Sequence, residues 1–324
     1  MAELSNDAIR AMLYDIMTEE QQALFEEIGS LDFAYEFMPG RRVRINVFRQ
    51  RGNTSMAARL VHSRIPSIED LHLPPVLKKI AELNQGLVLV CGVTGSGKST
   101  TLAALIEHIN ETRRCHILTV EDPIEYLYAD KKAFINQREM GLDVHTWEEA
   151  LKAAVRQDPD VILVGEMRDP DTFAAGLTAA ETGHLVFGTV HSSNTGQTFV
   201  RILDMFHTDR QHIIRQGLAF NLQAIVCQNL LPSCAEGVSV SPAVEVMLAN
   251  PTIRKVIREG QEKQIAEIIK ASREEGMQDF TQSIAGLIKD GLVEVRVGLE
   301  YAPNRQELEM VLRGIQLTHR GILT

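Results

Sequence analysis

The first sixty residues carry two hydrophobic patterns, one typical of helices and one typical of strands. Between residues 6 and 28, apolar side chains recur at helical spacing and predict one or two helices: Ile9, Leu13, Ile16, Leu24 and Ile28. Residues 42–48, RVRINVF, alternate charged and apolar side chains and predict a half-buried strand. Residues 55–61, SMAARLV, predict its partner, because the intervening QRGNT is rich in turn-forming residues. The pattern therefore predicts a small α+β module.

The pattern changes after a proline-containing connection. Residues 62–75 hold three prolines, and we place a linker at 63–78 between an N-terminal domain, 1–62, and a second domain, 79–324. In the second domain, short apolar runs alternate with amphipathic helices: GLVLVCG, HILTVED, DVILVGE and HLVFGTV. Such runs are typical of parallel strands buried on both faces, so the second domain is predicted to be α/β. PAVEVML predicts one more strand, and the remainder after about residue 230 is predicted to be mostly helical.

Residues 91–101, CGVTGSGKSTT, fit the phosphate-binding pattern GxxxxGK[ST] in the right context. A predicted strand, 87–91, precedes the loop and a predicted helix, 98–110, follows it. Glycines allow backbone N–H groups to curl around phosphates, and the start of a helix attracts anions. Lys98 is predicted to reach the β- and γ-phosphates of ATP, and Ser99 to hold Mg²⁺. The residues predicted to bind the nucleotide are Gly92, Thr94, Gly95, Ser96, Gly97, Lys98, Ser99 and Thr100.

Acidic residues follow two of the other predicted strands. Glu166 ends an apolar run, where a P-loop nucleotidase needs a carboxylate to hold Mg²⁺ or to orient the attacking water. Glu121, Asp122 and Glu125 follow the run at 117–120, and one of them is a candidate general base. The pattern does not choose among these three.

Two histidines lie at the two ends of a predicted strand, His184 before it and His191 after it. A single histidine is more often structural than catalytic. The functional interpretation is that the two contact the γ-phosphate and a switch element.

Two arginines, Arg44 and Arg59, lie on the predicted strand pair of the N-terminal module. Composition alone favours a solvated strand face. The functional interpretation is that a mobile module brings the guanidinium groups to the nucleotide, because each fork can pair with two phosphate oxygens. In other nucleotidases such a group contributes about 10³–10⁵ in rate.

Composition and charge indicate which partners and which cell compartment to expect. The chain of 324 residues has a net charge of −10, which disfavours a nucleic-acid partner because such binding rewards clustered Lys and Arg. No apolar run approaches the roughly 18 residues needed to span a bilayer, so we expect no direct membrane insertion. The four cysteines lack zinc-site spacing and are interpreted as thiols of a reducing compartment. We expect a cytoplasmic protein.

Four segments resemble, in order and spacing, the Walker A, Asp box, Walker B and His box of secretion-superfamily ATPases: GVTGSGKSTTLAAL, ILTVEDPIEY, VRQDPDVILVGEMRD and LTAAETGHLVFGTVHSSNT. NPTIRKVIREG at 250–260 and GMQDFTQSIAGLIKDGLV at 276–293 are similar to elements of the type IV pilus retraction branch. A tetracysteine zinc site, usual in the extension and type II secretion motors, is missing. The sequence departs from the pattern at Val93, Asp171, Lys255 and Val256.

The resemblance implies a truncated PAS-like N-terminal domain followed by a RecA-like ATPase domain with a helical C-terminal part. It implies a homohexamer that hydrolyses ATP with Mg²⁺ to drive pilus retraction, docked peripherally on an inner-membrane platform protein. It assigns Glu121 and Asp122 to the Asp box, Glu166 to Walker B, and His184 and His191 to the His box. Arg44 and Arg59 match, by resemblance, N-terminal arginines that reach the nucleotide.

Three alternatives remain open. One is a related motor for secretion, pilus extension or DNA uptake. Another is an accessory, PilU-like ATPase that depends on a second motor. A nucleic-acid motor is disfavoured by the acidity and by the lack of a basic segment that carries aromatic residues.

Overall fold

The computed structural model describes residues 4–38, 41–61 and 64–315, and the chain divides into two compact units. The first unit comprises Met1–Ile65 and the separate segment Ile124–Tyr128, and the second comprises Pro66–Pro123 and Ala129–Thr324. The return of Ile124–Tyr128 to the first unit was not predicted from the sequence. The predicted domain boundaries at residues 62 and 79 stay predictions.

The first unit packs two helices against one face of a three-stranded antiparallel sheet of order β1-β2-β3. Its elements are α1 (Asn6–Tyr14), α2 (Glu19–Ile28), β1 (Ser30–Met38), β2 (Arg41–Gln50) and β3 (Asn53–Leu60). A capping box of Thr18 and Gln21 begins α2, and Gly29 ends it in the left-handed conformation. The predicted helices and both predicted strands are confirmed. The prediction missed β1, because only Phe33 of its nine residues is buried and the alternation is weak.

The second unit is built on a seven-stranded sheet of order β10-β9-β4-β8-β7-β5-β6. Only β10 is antiparallel to its neighbour; all the other pairings are parallel. Its strands are β4 (Gly86–Cys91), β5 (His116–Glu121), β6 (Phe134–Glu139), β7 (Val161–Val164), β8 (Leu185–Val190), β9 (Leu222–Pro232) and β10 (Val240–Leu248). The predicted α/β class is confirmed. The prediction missed β6, whose outer position leaves polar side chains along it, and β9.

Helices cover the sheet and form most of the C-terminal part. They are α3 (Val76–Ala81), α4 (Lys98–Thr112), α5 (Trp147–Ala154), α6 (Pro170–Glu181), α7 (Thr195–Asp204), α8 (Thr208–Asn221), α9 (Pro251–Glu259), α10 (Ile265–Ala271), α11 (Phe280–Lys289), α12 (Val295–Tyr301) and α13 (Arg305–Leu312). Within residues 4–38, 41–61 and 64–315, no helix has the length and apolar character needed to cross a bilayer.

The strand register brings several chain segments to one edge of the sheet. Cys91, the last residue of β4, pairs with Val190 of β8 and with Cys227 of β9. Val164 of β7 pairs with Gly188 of β8. Because the carboxyl ends of parallel strands lie at the same edge, the loops after β4, β5, β7 and β8 start there. This edge therefore positions the candidate site.

Candidate active site

Glycines shape the loop between β4 and α4. Gly92, Gly95 and Gly97 have φ angles of 155°, 79° and 86°, in the region that side chains rarely adopt. A Cβ atom at Gly92 would lie 2.2 Å from Ser96 Oγ. The loop is therefore too tight at this point for any other residue.

The start of α4 presents groups suited to a phosphate. Gly97 is the N-cap and has no side chain, so no side-chain cap hydrogen bond forms there. Lys98, the first helical residue, donates from Nζ to the carbonyl oxygens of Gly92 at 2.9 Å and Val93 at 3.1 Å. Ser99 follows and is exposed. The helix dipole, an ammonium group and an exposed hydroxyl thus occur within one turn.

The loop also contains a buried polar atom that lacks a hydrogen-bond partner and that a phosphate ligand could satisfy. Ser96 is 2% exposed, and among the described residues its Oγ has no hydrogen-bond partner. A buried hydroxyl without a partner is costly unless a ligand supplies one. Phosphate oxygens are acceptors of the kind that this hydroxyl lacks.

Glu166 is held at the end of β7 by its neighbours on the chain. Thr189 of β8 donates from Oγ1 to the carbonyl oxygen of Gly165 at 2.6 Å. Its backbone carbonyl oxygen accepts from the Met167 N–H at 3.0 Å. A Cβ at Gly165 would lie 3.2 Å from Glu121 Cα and 3.4 Å from Trp147 Cη2, so glycine allows β7 to pack closely against these residues. The backbone on both sides of Glu166 is therefore fixed.

The Glu166 carboxylate has two partners. His191 Nε2 lies 3.2 Å from Oε1, and Arg168 Nε lies 3.1 Å from Oε2. Arg168 also places Nη2 3.6 Å from Asp122 Oδ2, so it lies between the acids of two loops. The sequence prediction missed Arg168; its position two residues after the predicted acid was the available signal.

The candidate acids after β5 differ in environment. Glu121 is buried, and its Oε1 accepts hydrogen bonds from Thr119 Oγ1 at 2.7 Å and Gln137 Nε2 at 3.2 Å. Asp122 is exposed and reaches Arg168. Glu125 belongs to the segment Ile124–Tyr128 of the first unit. Of the two candidate acids in the second unit, Asp122 is therefore more accessible than Glu121.

The structure separates the two predicted histidines. His191 follows β8 at the edge that carries the loop, whereas His184 precedes β8 at the opposite edge. The strand rises about 3.3 Å per residue, which puts the two roughly 20 Å apart. His184 Nδ1 lies 2.9 Å from the Ala179 carbonyl oxygen and 3.2 Å from Thr182 Oγ1. The structure therefore does not bring His184 together with His191; the contacts of His184 fix the turn before β8, and its functional role stays a prediction.

Burial lowers the pKa of His191, and the nearby positive charge of Lys98 lowers it further, while Glu166 acts in the opposite direction. The ring is therefore neutral at pH 7 and donates from Nε2 to Glu166. Because the folded pKa lies below the ordinary value of 6.5, the unfolded chain takes up the proton first as the pH falls. The stability associated with neutral His191 is present above pH 6.5 and is lost below it.

The residues present fit a magnesium ion that is shared with a nucleotide. Within residues 4–38, 41–61 and 64–315, no three His, Cys, Asp or Glu side chains cluster as a metal site of protein ligands alone would. Mg²⁺ is usually held by one or two protein oxygens together with substrate phosphates. Ser99 and Glu166 are oxygen donors of this kind and would hold it.

A cavity of ≈ 270 Å³ adjoins the Glu166 carboxylate. It is lined by Glu166, Met167, Arg168, His191, Arg201, Asp204 and Met205. The contributions of Arg201 and Asp204 from α7 were not predicted, because nothing in their local sequence marks them.

The two predicted arginines lie opposite each other on adjacent strands of the first unit's sheet. Arg44 of β2 is the register partner of Arg59 of β3. Arg44 Nε lies 3.6 Å from Asp32 Oδ1. Like charges directly opposite each other on a sheet are unfavourable, and an anion bound between them would relieve the repulsion. Their contact with a nucleotide stays a prediction.

The charges around His191 can be tested in the nucleotide-free protein. Lys98→Met should raise the pKa of His191, because it removes a positive charge, and Glu166→Gln should lower it further, because it removes the carboxylate that favours the imidazolium. The measurement is a ¹³C-edited NMR titration of the histidine Cε1 signals, assigned with His191→Gln. Shifts in the same direction for both variants would contradict the described arrangement.

Proteins similar to this chain are named for secretion, twitching motility or pilus retraction. The family described as Type II/IV secretion system protein matches residues 30–299. A twitching motility protein of Neisseria gonorrhoeae is 41% identical over 308 residues, covering 95% of this chain and 82% of its own. The type IV pilus retraction ATPase PilT of Pseudomonas aeruginosa is 41% identical over 290 residues, which cover 90% of this chain and 84% of its own.

A solved structure gives the same result. The crystal structure of the pilus retraction motor PilT with bound ADP is 41% identical and superposes with a TM-score of 0.86, covering 94% of this chain and 86% of that one. The resemblance to secretion-superfamily ATPases is thereby confirmed, and the chain belongs to the type II/IV secretion system protein family.

Proposed function

We propose that this chain is an ATP-hydrolysing motor that powers the retraction of type IV pili. The observation that carries the proposal is the sheet edge at which the Lys98 loop, His191 and Glu166 follow the adjacent strands β4, β8 and β7, with His191 Nε2 3.2 Å from Glu166 Oε1. A phosphate-binding loop with a carboxylate on a neighbouring strand is the arrangement that P-loop hydrolases use.

Each group has a distinct chemical task in this proposal. Lys98 and the start of α4 neutralise the phosphate charge. Ser99 and Glu166 would hold Mg²⁺, and the ion when bound would supply positive charge that offsets the charge developing on the phosphates. Glu166, kept in place by Thr189 and by neutral His191, also orients the attacking water. Most of the rate then comes from positioning and charge neutralisation.

The relatives' names support the mechanical part of the proposal. They describe twitching motility and pilus retraction, and the solved relative holds ADP. By this analogy the chain works as a homohexamer and acts on an inner-membrane platform protein, which would bring it to the membrane without insertion. Arg44 and Arg59 would complete the nucleotide site of a neighbouring subunit.

Substitutions in the loop and in Walker B should separate binding from chemistry. Lys98→Ala should abolish ATP binding, whereas Glu166→Gln should bind ATP and lose most hydrolysis, by about 10²-fold or more. Phosphate release and binding of a fluorescent ATP analogue measure the two steps, with the exposed Glu274→Gln as the matched control. A Glu166→Gln enzyme with near wild-type turnover would rule out the Walker B assignment, and an inactive wild-type chain would favour the accessory alternative.

Mixing two inactive variants tests whether the arginines act on a neighbouring subunit. Arg44→Ala/Arg59→Ala supplies intact P-loop sites, and Glu166→Gln supplies intact arginines. In randomly mixed rings, about a quarter of the interfaces then contain both intact parts, so the mixture should regain about a quarter of the wild-type rate. A mixture as inactive as its components would show that the arginines do not act in trans.

The direction of force is tested in the host cell. If the motor retracts pili, deletion of the gene should leave cells with excess surface pili and no twitching, because assembly continues without disassembly. Complementation with Glu166→Gln should not restore twitching, whereas Glu274→Gln should. Cells without pili after deletion would instead support an extension motor.

A further inference from the structure

A buried glutamine on β9 lies directly behind the phosphate-binding loop. Cys227 is the register partner of Cys91, so Gln228 stands beside the first loop glycine, Gly92. The residue is 3% exposed. Its amide Nε2 donates to the carbonyl of Ser96 at 2.7 Å, and its Oε1 accepts from Thr101 Oγ1 at 2.7 Å.

The loop is packed against this residue at both of its bounding glycines. A Cβ at Gly92 would lie 2.6 Å from the backbone oxygen of Gln228, and a Cβ at Gly97 would lie 2.7 Å from its Nε2. The close approach explains why neither position accepts a side chain. It also means that the height of the loop above the sheet is set by Gln228.

The two hydrogen bonds bracket the last four of the residues predicted to bind the nucleotide, 97–100. Ser96 precedes Gly97 and Lys98, and Thr101 follows Ser99 and Thr100. One amide thus fixes both ends of the segment whose N–H groups, ammonium and hydroxyl would contact the nucleotide. Both partners of the amide are themselves buried, and buried hydrogen bonds of this kind favour a single geometry.

We propose that Gln228 is a positioning residue for the nucleotide: it holds the segment 97–100 in its binding conformation before the phosphates arrive. Groups that are already in place lose less freedom on binding, which raises affinity. The inference rests on the proposed function only in that the loop binds ATP.

Gln228→Met tests the proposal, because methionine has a similar shape and neither donates to Ser96 nor accepts from Thr101. Gln278→Met is the matched control: Gln278 Nε2 donates to the Val244 carbonyl at 2.8 Å, on β10. Binding of N-methylanthraniloyl-ADP should weaken about tenfold in Gln228→Met and stay within about twofold in the control. Calorimetric unfolding without nucleotide compares the stability cost of the two substitutions.

Kinetics separate positioning from a general loss of structure. In Gln228→Met the KM for ATP should rise by about the factor lost in binding, while kcat falls less, because Glu166 and His191 follow other strands, β7 and β8. A Gln228→Met protein that is folded and binds the ADP analogue within twofold of wild type would overturn the proposal. A wild-type chain that does not bind it would instead overturn the proposed function.

If Gln228→Met does not fold, two substitutions of Thr101 test the proposal instead. Thr101→Val removes the donor to Oε1, and Thr101→Ser keeps it. Weaker binding of the ADP analogue by about threefold in the valine variant, with the serine variant unchanged, supports the proposal. Equal binding in both overturns it.

Discussion

The parallel pairing of β4 with β8 and β9 is the constraint on which the site depends. It aligns the ends of three strands, so that the loop after Cys91, the histidine after Val190 and the glutamine after Cys227 start at the same level of the sheet. Each group contributes a different property: a cradle of N–H groups, a neutral imidazole and a buried amide. A shift of one residue in any of these registers would separate them, since each step along a strand moves a group by about 3.3 Å and to the other face.

Within this alignment, small residues allow parts of the chain to approach one another. Gly165 brings β7 close to Glu121, and Gly92 and Gly97 bring the loop close to Gln228. Polar hydrogen bonds then hold what the close packing permits, as Thr189 does on both sides of Glu166. The site is therefore closely packed on the side that faces the sheet. It is open to solvent on the other side, where Ser99 and Asp122 are exposed.

Local sequence was sufficient for the parts of the site that are defined by neighbours along the chain. The glycine spacing around Lys98 and the acid after an apolar run predicted the loop and Glu166, since each signal lies within about ten residues. Gln228 was not predictable in this way, because it meets Ser96 across 132 residues of chain. Arg168 was missed although it lies beside Glu166, since only the fold shows that it also reaches Asp122. The positions of His184 before β8 and His191 after it were predictable, since they depend only on the strand between them.

The packing of Trp147 beside Gly165 has a practical consequence. It is the only tryptophan of the chain, and it lies next to the residue that precedes Glu166. Indole emission responds to the polarity and mobility of its surroundings, so the intrinsic fluorescence of the unlabelled protein reports on this corner of the sheet. The molecule thus contains its own optical probe for the segment that carries Glu166.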